Sequence, residues 1–243
     1  MIKNIAHRGA SGEYPENTMI SFKKAIDMGC DGIETDVQIT KDGELILCHD
    51  ELIDRTTDGK GLINSYNYKE LMKFDASYKF KKKHKKNKIP KLVELLELVK
   101  DSNIMLNLEL KNSVIDYEKI EERVIDLVCQ YGIEDRIIIS SFNHYSIKKC
   151  KEINTSIKCG ILYESTIYQV GEYAKSLGVE ACHPNFYTLK DYIVKDIKQK
   201  GLDINTYTVN EEKYMKMLIG MGVDGIITNY PDKLREIIIN NKQ

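Results

Sequence analysis

Residues 32–48, GIETDVQITKDGELILC, contain two apolar stretches joined by a polar turn, and their arrangement decides the fold. Residues 32–37 and 44–48 have the composition of β-strands, and Asp42-Gly43 between them is a strong signal for a hairpin. We therefore predict that strand 44–48 returns antiparallel beside strand 32–37, outside the regular alternation of strands and helices in the rest of the chain.

Elsewhere, strand-like segments alternate with amphipathic helical segments, a pattern typical of parallel strands joined by crossover helices. The parallel strand candidates are 2–6, 32–37, 104–110, 136–140, 157–162, 179–182, 203–208 and 223–227. The helical candidates are 17–28, 91–100, 117–131, 143–152, 167–177, 189–199, 211–221 and 231–241. This alternation predicts an α/β fold of the (β/α)8 TIM-barrel type, for which a chain of 243 residues suffices as one domain, residues 1–243. An open doubly wound sheet is the alternative, but the first strand is not followed by the Gly-x-Gly-x-x-Gly turn of dinucleotide folds.

Residues 51–90 interrupt the alternation and are predicted to form an insertion between the second barrel strand and its helix. They contain turn chemistry at Asp58-Gly59 and a basic run from Lys79 to Lys88. We interpret the lysine run as a solvated face, with steering of an anionic surface or substrate as the alternative.

Composition indicates a globular protein, with 42% hydrophobic and 30% charged residues. A formal net charge of −1 provides no overall attraction to nucleic acid or acidic membranes, so we expect neither as a partner. Six cysteines without Cys-x-x-Cys spacing are interpreted as buried free thiols of a reducing compartment. The first residues lack the regions of a signal peptide, and no apolar run is long enough to span a bilayer. We therefore expect a cytoplasmic protein without a stable membrane anchor.

Polar side chains alternate with apolar ones along two of the predicted strands, and three of them are acidic. Within the sequence IETDV, Glu34 and Asp36 point to one face, because side chains two residues apart share a face of a strand. On a neighbouring strand Asn107, Glu109 and Lys111 share a face in the same way. These positions lie late in their strands, at the end of a barrel where active sites form.

Three carboxylates without a nearby cysteine predict a site for a hard cation, Mg²⁺ or Ca²⁺, completed by water and substrate oxygens. The alternative is a network of ion pairs with Arg8 and Lys111 that contains no metal.

Two histidines end predicted strands and are candidates for proton transfer. His7 ends the first strand and His49 ends the hairpin return, and such a pair can serve as general base and general acid. The alternative for each is a role in capping or hydrogen bonding. Arg8 follows His7 and suits bidentate contact with a phosphate, or pairing with the acids. His183 is predicted at the rim of the sixth barrel strand, with little part in substrate binding.

Short motifs follow one another in a fixed order along nearly the whole chain. They are His7-Arg8-Gly9, Pro15-Glu16-Asn17-Thr18, Glu34-Thr35-Asp36-Val37, Thr40-Lys41-Asp42-Gly43, His49-Asp50, Arg55-Thr56-Thr57-Asp58-Gly59, Glu109-Leu110-Lys111, Ser141-Phe142, Thr208-Val209-Asn210 and Gly222 to Thr228. Each motif alone is weak, but the ordered set is specific and resembles the glycerophosphodiester phosphodiesterase family.

The resemblance implies a TIM barrel with a small insertion after the second strand. The residues it implies for the site are Glu34, Asp36 and Glu109 as ligands of a divalent cation, His7 and His49 as the catalytic pair, and Arg8 and Lys111 as phosphate ligands. The implied reaction is metal-dependent hydrolysis of a small-molecule glycerophosphodiester, such as glycerophosphocholine or glycerophosphoethanolamine, to sn-glycerol 3-phosphate and an alcohol.

In this scheme one histidine removes a proton from the nucleophile, either water or the neighbouring glycerol hydroxyl, and the other protonates the leaving alcohol. We favour His7 as the base and His49 as the acid. Two other functions stay open. A lysophospholipase D-like lipid phosphodiesterase would need an apolar surface for an acyl chain, and a non-catalytic barrel would bind phosphate esters without cleaving them.

Two positions depart from the family pattern. Tyr207 stands where the family usually has Trp, and Asn229 where it commonly has Asp. Neither is expected to touch the metal ligands or the histidine pair, and Tyr207 is expected to stack on the glycerol carbons. The segment from Pro15 to Thr18 is interpreted as mainly structural, since Asn and Thr favour helix N-termini.

Overall fold

Eight parallel strands close into a barrel in the computed structural model of the protein, which describes residues 2–77, 80, 83 and 86–241. The strands are β1 (Lys3–His7), β2 (Gly32–Ile39), β3 (Leu45–Leu47), β4 (Met105–Leu110), β5 (Ile137–Ser141), β6 (Lys158–Tyr163), β7 (Ala181–Pro184), β8 (Asp203–Thr206) and β9 (Gly225–Thr228). Their order is β1-β9-β8-β7-β6-β5-β4-β2, and β2 pairs with β1 to close the ring. β3 pairs antiparallel with β2, as the hairpin signal predicted. The (β/α)8 prediction is therefore confirmed, and strand bounds differ from the predicted ones by at most two residues.

Helices cover the outside of the barrel. They are α1 (Met19–Asp27), α2 (Tyr68–Leu71), α3 (Leu92–Val99), α4 (Ile120–Tyr131), α5 (His144–Ile153), α6 (Val170–Leu177), α7 (Asp191–Gln199), α8 (Glu212–Gly220) and α9 (Pro231–Asn240). Apart from the short α2, these helices occupy the predicted segments, with bounds that differ by at most three residues. Within the part of the chain that the structure describes, none of the helices has the length and apolar character that crossing a bilayer requires.

The main core lies between the barrel and its helices. Outward-facing side chains of the strands, such as Ile33 and Leu106, pack with helix residues such as Leu95 and Leu96, and all four are fully buried. Burying such a side chain contributes about 1.5–3 kcal/mol, so this shell fixes the strands that carry the site. Five of the six cysteines are buried free thiols, as predicted, whereas Cys129 on α4 is exposed.

A polar layer occupies the barrel interior below the carboxyl ends of the strands. His183 on β7 is fully buried there, with its ring nitrogens 3.5 Å from Asn107 Nδ2 and 3.2 Å from Asn205 Nδ2. Burial lowers the pKa of His183 to about 3, so the ring is neutral. The prediction that His183 lies at the rim is wrong, because β7 continues to Pro184 and encloses the ring. A Cβ on Gly160 would lie only 2.5 Å from its Nε2, so glycine leaves the ring the space it needs.

The described residues of the segment 51–90 pack around a second, smaller core that includes part of β3. Ile53 and Leu71 are fully buried in it and share it with Ile46 of β3. The segment also contains the 3₁₀ turns Ile53–Arg55 and Ile63–Ser65 and the helix α2. Residues 79, 81, 82, 84 and 85 of the predicted basic run lie outside the described residues.

Candidate active site

The strand β2 lies at the centre of the candidate site, because its neighbours bring the other residues to it. On one side β1 pairs with the first half of β2 and places His7 opposite Glu34. On the other side β4 pairs along β2 and places Glu109 opposite Asp36. Beyond Glu34, β3 replaces β1 at the edge of β2 and ends shortly before His49. The predicted acids and histidines therefore converge at the carboxyl end of the barrel, where TIM-barrel sites form.

Glu34, Asp36 and Glu109 form a compact carboxylate cluster. One oxygen of each lies within 4.8 Å of the others, and all three residues are buried. Burial and the charge of Asp36 raise the pKa of Glu34 well above its ordinary value and raise the pKa of Glu109 to about 7. Burial acts in the same direction on Asp36, but the charges of Arg8, His49 and Lys111 and the hydrogen bond from Asn17 together outweigh it and lower the pKa of that carboxyl. The raised pKa values reflect repulsion between the carboxylates, which a bound cation would relieve.

Two cationic side chains form ion pairs with the cluster. Arg8 Nε lies 3.2 Å from Asp36 Oδ2, and Lys111 Nζ lies 2.9 Å from Glu109 Oε1. These are the pairs of the metal-free alternative, yet they leave Asp36 Oδ1 buried without a hydrogen-bond partner among the described residues, and the contact of Arg8 Nε with Asp36 is an ion pair without hydrogen-bond geometry. An unpaired buried polar atom costs about 1–3 kcal/mol. The free carboxylate oxygen and the all-oxygen donor set fit a hard divalent cation.

The ring of His7 is held through its Nδ1 atom. That atom lies 2.6 Å from Asn229 Oδ1, which also accepts a hydrogen bond from Ser11 Oγ at 3.0 Å. The opposite ring nitrogen, Nε2, lies 3.9 Å from Glu34 Oε2. Burial and the charge of Arg8 lower the pKa of His7 to about 3. The expectation that Asn229 would not touch the histidine pair is wrong, because β9 pairs with β1 and the residue after β9 therefore lies beside the end of β1.

The ring of His49 is held in the same way by a charged partner. Its Nδ1 lies 2.6 Å from Asp50 Oδ1, and its Nε2 lies 3.3 Å from Lys111 Nζ. Arg55 binds both oxygens of Asp50, with Nε 2.6 Å from Oδ2 and Nη2 2.9 Å from Oδ1. The two histidines thus differ in their Nδ1 partner, which is a neutral amide for one and a carboxylate for the other.

The segment from Pro15 to Thr18 contributes to the site as well as to α1. Thr18 accepts a hydrogen bond from the backbone at the start of α1, as predicted. Asn17 Nδ2, however, donates to Asp36 Oδ2 at 2.8 Å, and Glu16 Oε1 accepts from Arg8 Nη1 at 2.8 Å. The interpretation as mainly structural is therefore wrong for Glu16 and Asn17. A signal was available, since a helix that follows β1 after a short loop must begin near the carboxyl end of β1.

The backbone after His7 turns sharply, which directs Arg8 towards β2. Arg8 has φ 55° and Gly9 has φ 81°, and both values lie in the left-handed region. A Cβ on Gly9 would lie 2.2 Å from Ser21 Oγ of α1. Glycine is therefore required where the chain passes this close to the helix.

Two aromatic rings lie at the rim of the barrel beside the carboxylates. Tyr207, after β8, meets Phe142, after β5, edge to face with ring centroids 6.1 Å apart. The hydroxyl of Tyr207 donates to the carbonyl of Tyr163 at 3.1 Å. Phe142 is 36% exposed, so the pair presents apolar surface to the opening.

Comparison with known proteins gives one consistent result. Residues 7–233 match the glycerophosphoryl diester phosphodiesterase family. A protein of Caldanaerobacter subterraneus subsp. tengcongensis named glycerophosphodiester phosphodiesterase is 40% identical over 234 residues, 96% of each chain, and one of the same name from Bacillus altitudinis is 42% identical over 98% of each. A phosphodiesterase of Oleispira antarctica, solved in complex with the product sn-glycerol-3-phosphate, superposes with a TM-score of 0.86 at 31% identity, covering 97% of this chain and 96% of its own. The chain therefore belongs to the glycerophosphoryl diester phosphodiesterase family.

Proposed function

We propose that the protein uses a divalent cation, Mg²⁺ or Ca²⁺, to cleave small glycerophosphodiesters such as glycerophosphocholine and glycerophosphoethanolamine into sn-glycerol 3-phosphate and an alcohol. The observation that carries the proposal is the orientation of the two histidines. In each ring Nδ1 contacts a neighbouring side-chain oxygen, Asn229 Oδ1 for His7 and Asp50 Oδ1 for His49. In each ring Nε2 faces the carboxylate cluster and Lys111: it lies near Glu34 in His7 and near Lys111 in His49. A base and an acid beside a cation site can together promote cleavage of a phosphodiester.

Charge at the site supports a cation and an anionic substrate together. The three carboxylates, when ionised, exceed the two charges of Arg8 and Lys111 by one, and this excess would repel a phosphodiester. A divalent ion held by Glu34, Asp36 and Glu109 would reverse that excess, neutralise phosphate oxygens and stabilise the charge that develops during transfer. Arg8 Nε is ion-paired with Asp36 but makes no hydrogen bond among the described residues, so it could also donate to a phosphate oxygen.

His7 is assigned as the general base. Its depressed pKa of about 3 keeps the ring neutral, and Asn229 Oδ1 accepts a hydrogen bond from Nδ1–H, so Nε2 carries the lone pair. Nε2 takes the proton from the attacking group, which is either water or the neighbouring glycerol hydroxyl. Attack by water gives sn-glycerol 3-phosphate directly, whereas attack by the glycerol hydroxyl gives a cyclic phosphate that water then hydrolyses to the same product.

His49 is assigned as the general acid. Asp50 binds its Nδ1, and a carboxylate in that place supports a ring that gives up a proton at Nε2 and regains it from solvent. As the phosphorus–oxygen bond to the leaving alcohol breaks, the proton passes from Nε2 to that oxygen. Lys111, 3.3 Å from Nε2 in the structure, turns to the phosphate when the substrate binds.

A change of leaving group separates the two roles. Alanine variants of His7 and His49 would be assayed, with the ion that supports turnover, on glycerophosphocholine and on the 4-nitrophenyl ester of glycerol phosphate. Both variants should lose about 10²–10⁴-fold in kcat on glycerophosphocholine, as loss of a proton-transfer group does. On the nitrophenyl ester, whose leaving group needs no proton, His49→Ala should recover most of its rate and His7→Ala should not.

The control is His144→Ala, because His144 binds Tyr173 and a backbone carbonyl rather than the cluster. Its kcat should stay within about twofold of the parent, the range of a residue without a part in the transition state. Recovery by His7→Ala instead of His49→Ala would reverse the assignment. Full activity of His49→Ala on glycerophosphocholine would end the two-histidine scheme.

We also propose a cytoplasmic location, which the five buried free thiols support, since thiols stay reduced there.

A further inference from the structure

The guanidinium of Arg55 lies between two carboxylates of the candidate site, those of Asp50 and Glu16. Its Nε and Nη2 donate to the oxygens of Asp50 at 2.6 and 2.9 Å. Its Nη1 and Nη2 donate to the oxygens of Glu16 at 2.6 and 2.7 Å. Arg55 therefore binds two carboxylates at once, each through both of its oxygens. The planar guanidinium of arginine permits this geometry, and a lysine cannot reproduce it.

Each of these carboxylates also contacts a second residue of the candidate site. Asp50 Oδ1 lies 2.6 Å from His49 Nδ1, and Glu16 Oε1 accepts from Arg8 Nη1 at 2.8 Å. Arg8 in turn forms the ion pair with Asp36 of the carboxylate cluster. A continuous chain of charged contacts thus connects the proposed acid with the proposed phosphate ligand, and Arg55 is its middle member.

Arg55 comes from the segment 51–90, whose purpose the sequence left undefined. It ends the 3₁₀ turn that starts at Ile53, and Ile53 is fully buried in the second core together with Ile46 of β3. The strand that leads to His49 and the turn that carries Arg55 are therefore packed against each other. That core anchors the backbone turn that carries Arg55, and the contacts with Asp50 and Glu16 hold the guanidinium in place.

Charge explains why the support has to be a cation. Burial alone would raise the pKa of Glu16, but Arg55 and Arg8 lower it to about 2, so the carboxylate is ionised at neutral pH. Without Arg55, two carboxylates of one sign would face each other at the point where His49 and Arg8 are oriented, and repulsion would move them apart.

We propose that Arg55 is a positioning residue of the active site, which fixes the ring of His49 through Asp50 and the guanidinium of Arg8 through Glu16, and so makes the turn Ile53–Arg55 part of the catalytic apparatus. This inference rests on the function proposed above.

The contacts of Arg55 with Asp50 and with Glu16 can be tested separately. Arg55→Met should lower kcat about 10²-fold, since displacement of a reacting group by about 1 Å has that effect. Asp50→Asn should reproduce most of this loss in kcat, whereas Glu16→Gln should chiefly raise KM, by roughly threefold as for a partly exposed ion pair. In a His49→Ala background, Arg55→Met should lower kcat by less than about twofold, because the ring that Arg55 orients through Asp50 is then absent.

Arg136→Met is the matched control. Arg136 also makes several hydrogen bonds, but all of them go to backbone carbonyls of residues 99–104, at the opposite end of the barrel. Its kcat should stay within about twofold of the parent. Should Arg55→Met not fold, Arg55→Lys keeps the charge but loses the double fork, and it should show a smaller loss in kcat at a similar melting temperature.

The ring of His49 provides a readout that does not depend on turnover. Nitrogen-15 NMR of the ring should show the Nδ1–H of His49 in the parent protein and averaged tautomers in Arg55→Met. Loss of kcat by less than threefold, or an equal loss with and without His49, would overturn the inference, as would an unchanged His49 spectrum. If the parent protein cleaves no diester, the proposed function fails, and the NMR comparison still decides whether Arg55 orients His49.

Discussion

His7 and Asn229 stand 222 positions apart in the chain, yet His7 Nδ1 lies 2.6 Å from Asn229 Oδ1. An amide oxygen can only accept, so the proton of the neutral ring resides on Nδ1, and the lone pair of Nε2 faces the carboxylate cluster. The barrel makes this contact possible, because β9 closes the ring against β1 and its exit turn follows at once. The contact selects the form of His7 that can act as a base.

Replacement of Asn229 tests this contact. Asn229→Leu removes the acceptor at similar size, and kcat should fall by about 10–100-fold because the ring loses its preferred tautomer and orientation. Asn229→Asp keeps an oxygen in place and should retain more activity than Asn229→Leu. Steady-state kinetics, with the melting temperature of each variant as a control for folding, would show the difference. Equal activity of the leucine and aspartate variants would mean that the contact does not orient the base.

Tyr207 is expected to provide an apolar face for the glycerol carbons, while its hydroxyl is already bound to the carbonyl of Tyr163. Tyr207→Ala should therefore raise KM by roughly tenfold, because about 1.4 kcal/mol of contact is a modest share of an aromatic face. Tyr207→Phe keeps the face and should leave KM within about twofold. KM values for glycerophosphocholine would be compared. A rise in KM for Tyr207→Phe as large as that for Tyr207→Ala would show that the hydroxyl, not the ring, contacts the substrate.

Glu109 should make both stability and metal binding depend on pH. Burial and the charge of Asp36 raise its pKa from 4.5 to about 7 in the metal-free protein. A carboxyl with a raised folded-state pKa contributes stability that is fully present below its unfolded pKa and is lost as the pH rises through the folded value. Without metal, acidification from pH 8 to about 5 should therefore stabilise the parent protein relative to Glu109→Gln.

Metal binding follows the opposite trend, because a ligand carboxyl must give up its proton. The rise in melting temperature on addition of Ca²⁺ or Mg²⁺ should be larger at pH 8 than at about pH 5.5. Thermal unfolding of the parent and Glu109→Gln at both pH values, with and without the ion, provides the comparison. The same metal-induced rise at both pH values would mean that Glu109 does not ligate the ion.

The barrel was accessible from the sequence because its signals are local. Alternation of strands and helices and the Asp42-Gly43 turn were sufficient for the topology, and period-two spacing placed Glu34 and Asp36 on one face. Register then brought Glu109 opposite Asp36, as pairing of adjacent barrel strands requires. Each of these steps needs only spacing along one or two neighbouring segments.

The contacts that support the site were less accessible, because they depend on where loops end in space. Glu16 and Asn17 look like helix-entry residues until the loop after β1 folds back over Arg8 and Asp36. Asn229 was expected to be remote from His7, and only the closure of the ring at β9 and β1 brings the two together. His183 shows the converse, since a strand that lies two residues later than predicted places an expected rim residue in the interior.

The most direct test of the account is the dependence of turnover on a divalent ion. The purified protein would be stripped with EDTA and supplied with glycerophosphocholine, and release of sn-glycerol 3-phosphate would be followed before and after separate addition of Mg²⁺, Ca²⁺ and Mn²⁺. Lysophosphatidylcholine would be assayed in parallel. We expect release to stop with EDTA, to return with at least one ion and to favour the short diester. Turnover that EDTA does not change, or the absence of release from any diester with any ion, would contradict the account.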